Sequence, residues 1–382
     1  MHVFILGSYA PSLLNFRGPL IHALLDAGHQ VSVGAPAVEI NIRAQLEAMG
    51  VVVHETPLAR TGLGIGADLR YYYTLKRIFR AVRPSSILTY TIKPNIWGAF
   101  AASSAGIPSY AMITGLGYAF TNSEASPSLK RRLAGLAARY LYRTATRRNR
   151  SIIFQNPDDV KDFVAAGCLT DESKVRMIAG SGVDMVHYAR ARLPDAPVVL
   201  MIARLLVAKG VRDYAAAVLA LRTRHPTARF ILVGPFDEGP DAIDRDEVAH
   251  WIAGGLEYLG PTDDVRPIIA QARIYVLPSY REGTPRSVLE AMAMGRPVIT
   301  CDAPGCRETV EHGVNGLLIP VRDAQALAKA IDRLLQNPAE AEAMGEAGYA
   351  LVARKYDVHL VNRAIMEITG LMPDMAPAAD AA

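Results

Sequence analysis

The sequence predicts an α/β protein of two domains, each a doubly wound parallel sheet, and three observations lead there. Short apolar runs rich in β-branched residues, such as Ile274–Leu277, alternate with amphipathic segments, the pattern of strand–helix–strand units that close on a parallel sheet. The rhythm pauses at a stretch with two prolines, Arg190–Pro197, and restarts with the wholly apolar Val198–Ala203. A chain of 382 residues, 51% of them hydrophobic, also exceeds what one core ordinarily holds. The expected division is residues 1–190, residues 191–357, a helix over 358–370 and a disordered tail over 371–382.

In the first half, His2–Leu6 reads as a strand, Ser8–Phe16 as a loop, Pro19–Ala27 as a helix stopped by Gly28, and Val31–Val33 as the next strand. Val51–His54 and Ile87–Leu88 continue the series. Such a sheet binds ligands at the carboxyl ends of its strands. The loop Gly7–Gly18 stands there but lacks G-x-G-x-x-G, which argues against a dinucleotide oxidoreductase. Tyr90–Asn95 and Met112–Phe120 also follow strands. Pro94 is expected to end an extended segment, while Gly115 and Gly117 let backbone approach a ligand closely; the alternatives are a surface cation at Lys93 and a plain turn.

Lys130–Arg150 holds eight basic residues and no acidic one. Helical spacing predicts Arg132, Arg139, Arg143 and Arg150 on one stripe beside Leu129, Leu133, Leu136 and Tyr140. A basic stripe bordered by apolar side chains suits an anionic bilayer surface, against the simpler reading of a solvated face. No nucleic-acid motif accompanies it, so no nucleic-acid partner is expected. The charge is uneven: residues 1–190 carry 21 Lys and Arg against 12 Asp and Glu, so the first half is the one expected to meet something anionic. Three cysteines without a CxxC pair support neither a disulfide framework nor a zinc site. With no signal peptide and no run of about 18 apolar residues, a cytoplasmic protein is expected.

In the second half, Arg204 and Lys209 follow the strand Val198–Ala203, where an Arg fork and a Lys point charge can clamp a diphosphate. Phe230–Val233 and Leu256–Gly260 read as strands. Asp244-Arg245-Asp246 spells D-x-D inside the acidic stretch Asp237–Glu247, expected to be a structureless solvated loop rather than a metal site. Ile274–Pro297 reads as strand, loop, helix and stop, with Thr284 as N-cap, Pro285 at the first helical position and Gly295 as terminator. The helix start suits phosphate, and the flanking carboxylates of Glu282 and Glu290 suit hydroxyls. Val298–Thr300 is a further strand, Asn315-Gly316 a turn, Arg333–Leu351 one amphipathic helix and Val358–Thr369 another.

A Glu, seven intervening residues and a second Glu across strand, loop and helix resembles the signature of family 4 glycosyltransferases, whose fold, GT-B, sets two such domains facing a cleft. The resemblance implies Glu290 on the ribose, Glu282 near the donor hexose, and the backbone of Gly283, Thr284, Pro285, Arg286 and Ser287 around the diphosphate and sugar. It implies Arg204 and Lys209 on the donor phosphates and Tyr258 and Leu259 offering backbone to the nucleobase. Where many relatives carry a Gly-Gly pair, this chain has Asn15-Phe16-Arg17-Gly18. By resemblance to lipid-linked sugar transferases, Asn15, Arg17, Gly18, Lys93, Thr114, Gly115 and Gly117 are implied on the acceptor side. Within the family the similarity is greatest to bacterial transferases that add N-acetylgalactosamine to undecaprenyl-diphosphate-linked sugars. That implies retaining transfer from a UDP-sugar without cofactor or metal, by a protein peripheral on the inner face of the plasma membrane. The alternatives are a UDP-sugar 2-epimerase of the same fold and a non-catalytic nucleotide-sugar-binding protein.

Overall fold

The computed structural model describes residues 1–58, 64–116, 129–239 and 241–373, with backbone alone for 129–134. The chain divides into two compact units, Met1–Ser181 together with the chain from Val361 onward, and Gly182–Leu360.

The first unit is built on seven parallel strands: β1 (His2–Leu6), β2 (Gln30–Ala35), β3 (Val52–Glu55), β4 (Ser86–Tyr90), β5 (Ser109–Ile113), β6 (Ser151–Phe154) and β7 (Val175–Met177), in the spatial order 3-2-1-4-5-6-7. Alternation along β1 shows how both faces are covered. Val3 and Ile5 join a core with Leu24, Val31 and Leu46, whereas Phe4 and Leu6 join Tyr71, Leu75 and Phe79 on the other face. The helix Val358–Thr369 ends on the first of these cores, to which it contributes Val361, Ile365 and Met366.

The second unit has six parallel strands: β8 (Val198–Ile202), β9 (Arg229–Val233), β10 (Leu256–Tyr258), β11 (Ile274–Leu277), β12 (Val298–Cys301) and β13 (Gly316–Ile319), ordered 10-9-8-11-12-13. In each sheet the strand order reverses beside the first strand, between β1 and β4 and between β8 and β11. Loops leaving those two strands part in opposite directions and open a crevice, which is where α/β sheets bind ligands.

Several local expectations change. Ser8–Phe16 contains a helical turn, Pro11–Asn15. Pro94 does not end an extended segment but lies in the first turn of the helix Ile92–Ser104, where its missing N–H costs nothing because first-turn donors have no helical partner. Arg333–Leu351 is broken at Asn337–Pro338 into two helices, Ala324–Gln336 and Pro338–Leu351, since proline cannot continue a helix but can open one. The helix after β11 is Arg286–Ala293, with Pro285 rather than Thr284 flanking its start. The helix Leu129–Thr146 stops short of Arg150, which leads into β6 and so leaves the basic stripe. The disorder expected from residue 371 does not begin there, since Leu371 is buried in the first core and its N–H donates to Met366 O at 2.7 Å. Residues from Asp374 onward and Gly117 to Phe120 lie outside the described residues, as do the side chains of Leu129, Arg132 and Leu133.

Arg190–Pro197, the expected connector, lies inside the second unit because arginines hold its carbonyls. Arg273 donates to Asp195 O at 2.7 Å and to Pro194 O at 3.3 Å. Arg296 is fully buried and donates to the carbonyls of Ala191, Arg192, Ala272 and Met294. Burial without a carboxylate pushes its guanidinium down to about 10. Replacing Arg296 with Met should orphan those carbonyls and cost about 3 kcal/mol or more, read from the urea transition of the second unit. A loss below about 1 kcal/mol would show that water satisfies them as well.

Candidate functional site

The second unit's crevice is built from the loops that leave β8 and β11. After β8 the chain runs extended to Leu206, makes a tight turn over Val207–Lys209 and enters the helix Val211–Leu221 through Gly210. Gly210 has φ +73°, and a Cβ there would lie 2.1 Å from Pro278 O, so glycine lets the two loops touch. The Tyr280 N–H donates to Ala208 O at 2.9 Å and stitches them together. Across this seam the Lys209 ammonium meets Glu282 Oε1 at 2.5 Å, with the two side chains 23% and 13% exposed. The Glu282 loop is fixed from the other side by its N–H on Pro304 O, and only a glycine fits at 305, where a Cβ would lie 2.1 Å from Glu282 O.

A second cluster stands on the helix Arg286–Ala293. Glu290 is 8% exposed and accepts from Arg286 Nε at 2.9 Å and from the Tyr188 hydroxyl. Burial raises its carboxyl above the ordinary range, and the charge of Arg286 and these hydrogen bonds oppose the rise. Ser287 Oγ and the Tyr275 hydroxyl both donate to Ile202 O, at 3.3 and 3.2 Å, and tie the helix start to the end of β8. The helix therefore presents its positive dipole end, Lys209 and Arg286 near two carboxylates, a pattern suited to an anion flanked by hydroxyls.

The structure thus brings together Lys209 with Glu282, and Arg286 with Glu290. Arg204 is more exposed, and its guanidinium pairs with Asp237 at 2.9 Å, a partner the sequence did not suggest. Of the backbone expected to meet a base, the Leu259 N–H already donates to Leu232 O and Gly260 O accepts from the Gly234 N–H. The Tyr258 hydroxyl donates to Gly234 O at 2.8 Å. In the first unit, Arg17 is buried with its guanidinium 4.8 Å above the Tyr90 ring, and Ser12 Oγ lies 2.9 Å from the Tyr90 hydroxyl. Asn15 ends the turn before it and Gly18 opens the next helix. Lys93 is no surface cation: it pairs with the buried Asp68 at 2.8 Å. Thr114 and Gly115, the latter with φ +122°, follow β5.

Asp244-Arg245-Asp246 is ordered, contrary to expectation. Asp244 caps the helix Arg245–Ala253 in a capping box with Glu247, which uses its carboxylate within the backbone. Among the described residues no three His, Cys, Asp or Glu side chains cluster as metal ligands. The three cysteines are free and buried. Tyr188 and Tyr280, whose hydroxyl donates to Asp213 at 2.8 Å, were missed. Neither Tyr188 nor Asp213 had a local signal in the sequence.

A family described as glycosyl transferases group 1 matches residues 196–337, and one described as glycosyl transferase 4-like domain matches residues 17–181. The chain is 28% identical over 352 residues to the N,N'-diacetylbacillosaminyl-diphospho-undecaprenol alpha-1,3-N-acetylgalactosaminyltransferase of Campylobacter jejuni, covering 88% of this chain and 90% of that protein. It is 31% identical to the alpha-D-kanosaminyltransferase of Streptomyces kanamyceticus over 44% of each. Among solved structures, Anabaena HepE in complex with UDP aligns with a TM-score of 0.78 at 21% identity, over 97% of this chain and all of that one. The sucrose-phosphate synthase of Thermosynechococcus elongatus aligns at 0.79 with 18% identity, covering 97% and 98%.

The cap geometry gives Asp244 a measurable role. Asp244→Ala should lower stability by about 1 kcal/mol in urea unfolding, the usual worth of an N-cap. A silent substitution would remove the capping assignment.

Proposed function

The chain belongs to the group 1 glycosyltransferases of GT-B fold, and from that premise we propose that it moves an N-acetylhexosamine, N-acetylgalactosamine first among them, from a UDP-sugar to a polyprenyl-diphosphate-linked sugar with retention. The observation that carries the reading is the meeting of Lys209 and Glu282, 73 residues apart, at the switch point between β8 and β11. The acceptor class is supported by the Campylobacter jejuni relative, whose name states a diphospho-undecaprenol-linked acceptor. The relatives reported above are transferases, which favours transfer over epimerisation.

In this reading the donor diphosphate takes the Lys209 ammonium from Glu282 and lies against the start of the helix Arg286–Ala293, with Arg204 swinging from Asp237 to assist. Glu290, held by Arg286 and Tyr188, accepts from the ribose hydroxyls. The released Glu282 accepts from a hydroxyl of the hexose. The C1–O bond to the β-phosphate breaks as the acceptor oxygen bonds C1 on the same face, and the acceptor proton passes to a phosphate oxygen of the departing UDP. Charge develops on that diphosphate, so the cations that meet it lower the barrier. Gly283, Thr284, Pro285 and Ser287 line the donor, with Tyr258 and Leu259 toward the base; Asn15, Arg17, Gly18, Lys93, Thr114, Gly115 and Gly117 belong to the acceptor side. The exposed Leu136, Arg139, Tyr140 and Arg143 of the helix Leu129–Thr146 are proposed to rest on an anionic membrane. No described helix is long and apolar enough to cross one.

The two carboxylates should separate in calorimetry with UDP. Lys209→Ala and Glu290→Gln should each weaken binding about tenfold or more, whereas Glu282→Gln, which removes the lysine's resting counter-ion, should not weaken UDP and should still cut turnover sharply. The pH dependence follows in sign. Ribose binding needs ionised Glu290, so UDP affinity should fall as pH drops through a midpoint above the usual carboxylate range, and this limb should vanish in Glu290→Gln. Identical behaviour of the Glu282 and Glu290 variants toward UDP would overturn the division of roles.

Transfer itself is tested with radiolabelled UDP-N-acetylgalactosamine and a polyprenyl-linked lipid extract. Labelled lipid should form, and should form equally in EDTA, because Lys209, Arg204 and the helix start offset the diphosphate charge. Activity lost in chelator and restored by Mn²⁺ would overturn the metal-independent mechanism; free labelled sugar epimer without lipid product would overturn transfer.

A further inference from the structure

Resting on the reading that the acceptor is lipid-linked, we infer that membrane contact extends beyond the basic helix: three neighbouring helices of the first unit, Ile65–Val82, Ile92–Ser104 and Leu129–Thr146, form one plane that lies on an anionic bilayer.

The helix Ile65–Val82 supplies the new half of this surface. Its row Tyr71, Leu75 and Phe79 is fully buried against the sheet. Ile65, Leu69 and Tyr73 recur at four-residue spacing on another face and are 78%, 43% and 62% exposed. Arg70, Arg77 and Arg80 are exposed beside them.

The middle helix links this edge to the third helix. Trp97 packs with the cores on both sides of it. Its ring lies 6.3 Å from Tyr72 of the first helix and 5.7 Å from Phe100, and the Arg148 guanidinium, just past the third helix, sits 5.0 Å over Phe100. A row of aromatic side chains therefore crosses the layer. At its far side Leu136 and Tyr140, one turn apart, are 61% and 70% exposed beside Arg139 and Arg143.

Charge identifies the occupant. The three helices carry one carboxylate between them, Asp68, and it is buried and paired with Lys93. Apolar side chains and rings set on helices whose cations far outnumber their carboxylates match the headgroup region of an anionic bilayer, where aromatic residues settle at the interface and each basic residue adds attraction.

The test uses the full chain with vesicles of phosphatidylcholine containing one third phosphatidylglycerol. The protein has two tryptophans, so Trp251→Phe leaves Trp97 as the sole reporter. Brominated lipid should quench Trp97, and Leu69→Asp with Tyr73→Asp should lower vesicle partitioning about tenfold or more while UDP binding stays intact. If the triple change Arg139, Arg143 and Arg147 to Glu abolishes partitioning but the Leu69/Tyr73 pair does not, the membrane reading stands and the three-helix plane is overturned. If neither changes partitioning, both fall. A dimer that the Leu69/Tyr73 pair abolishes, with vesicle binding unaffected, would assign this face to a second copy of the chain and also overturn the plane.

Discussion

A parallel sheet delivers the carboxyl ends of all its strands to one edge, and the reversal of strand order between β8 and β11 leaves a gap at that edge which side chains must fill. Everything in the candidate site follows from how this gap is closed. The Lys209–Glu282 pair spans it, the Tyr280 amide on Ala208 O stitches its walls, and glycines at 210 and 305 permit main chain to approach main chain.

The segment that enters the second unit is part of the same construction. Arg273 and Arg296 hold the carbonyls of residues 191–195, so Tyr188, just upstream, arrives at Glu290 on an anchored chain. A buried carboxylate with a raised pKa needs such support to remain ionised. Arg296 is unusual among buried cations in having only carbonyls for partners. Its role is to fix backbone, not to balance charge.

Much of this was legible in the sequence, for identifiable reasons. Parallel strands buried on both faces read as apolar runs, so His2–Leu6, Val198–Ile202 and Ile274–Leu277 declared themselves, and glycine and proline marked the ends of the helix that carries Glu290. Glu282 and Glu290 fall on one strand–loop–helix unit, as their spacing predicted. Contacts between distant segments left no such trace. Asp237 beside Arg204, Asp68 beside Lys93 and Tyr188 on Glu290 each depend on sheet topology rather than local pattern. Proline misled in the first turn of one helix and was overlooked at Pro338, since its meaning depends on whether a helix begins or continues there.

The Lys209–Glu282 pair also has a consequence for selectivity among the anions of a cell. The cation in this crevice already has an internal counter-ion, so an incoming anion must outcompete a carboxylate held at hydrogen-bonding distance rather than merely fill a positive hole. A single phosphate or a carboxylate metabolite brings too few contacts to do so. On the proposed reading, a diphosphate tethered to a ribose that engages Glu290 brings several at once, and it also offers Glu282 a sugar hydroxyl in exchange for the lysine it gives up. On that reading the resting ion pair would work as a gatekeeper against abundant small anions, and its re-formation when the spent nucleotide leaves would favour product release.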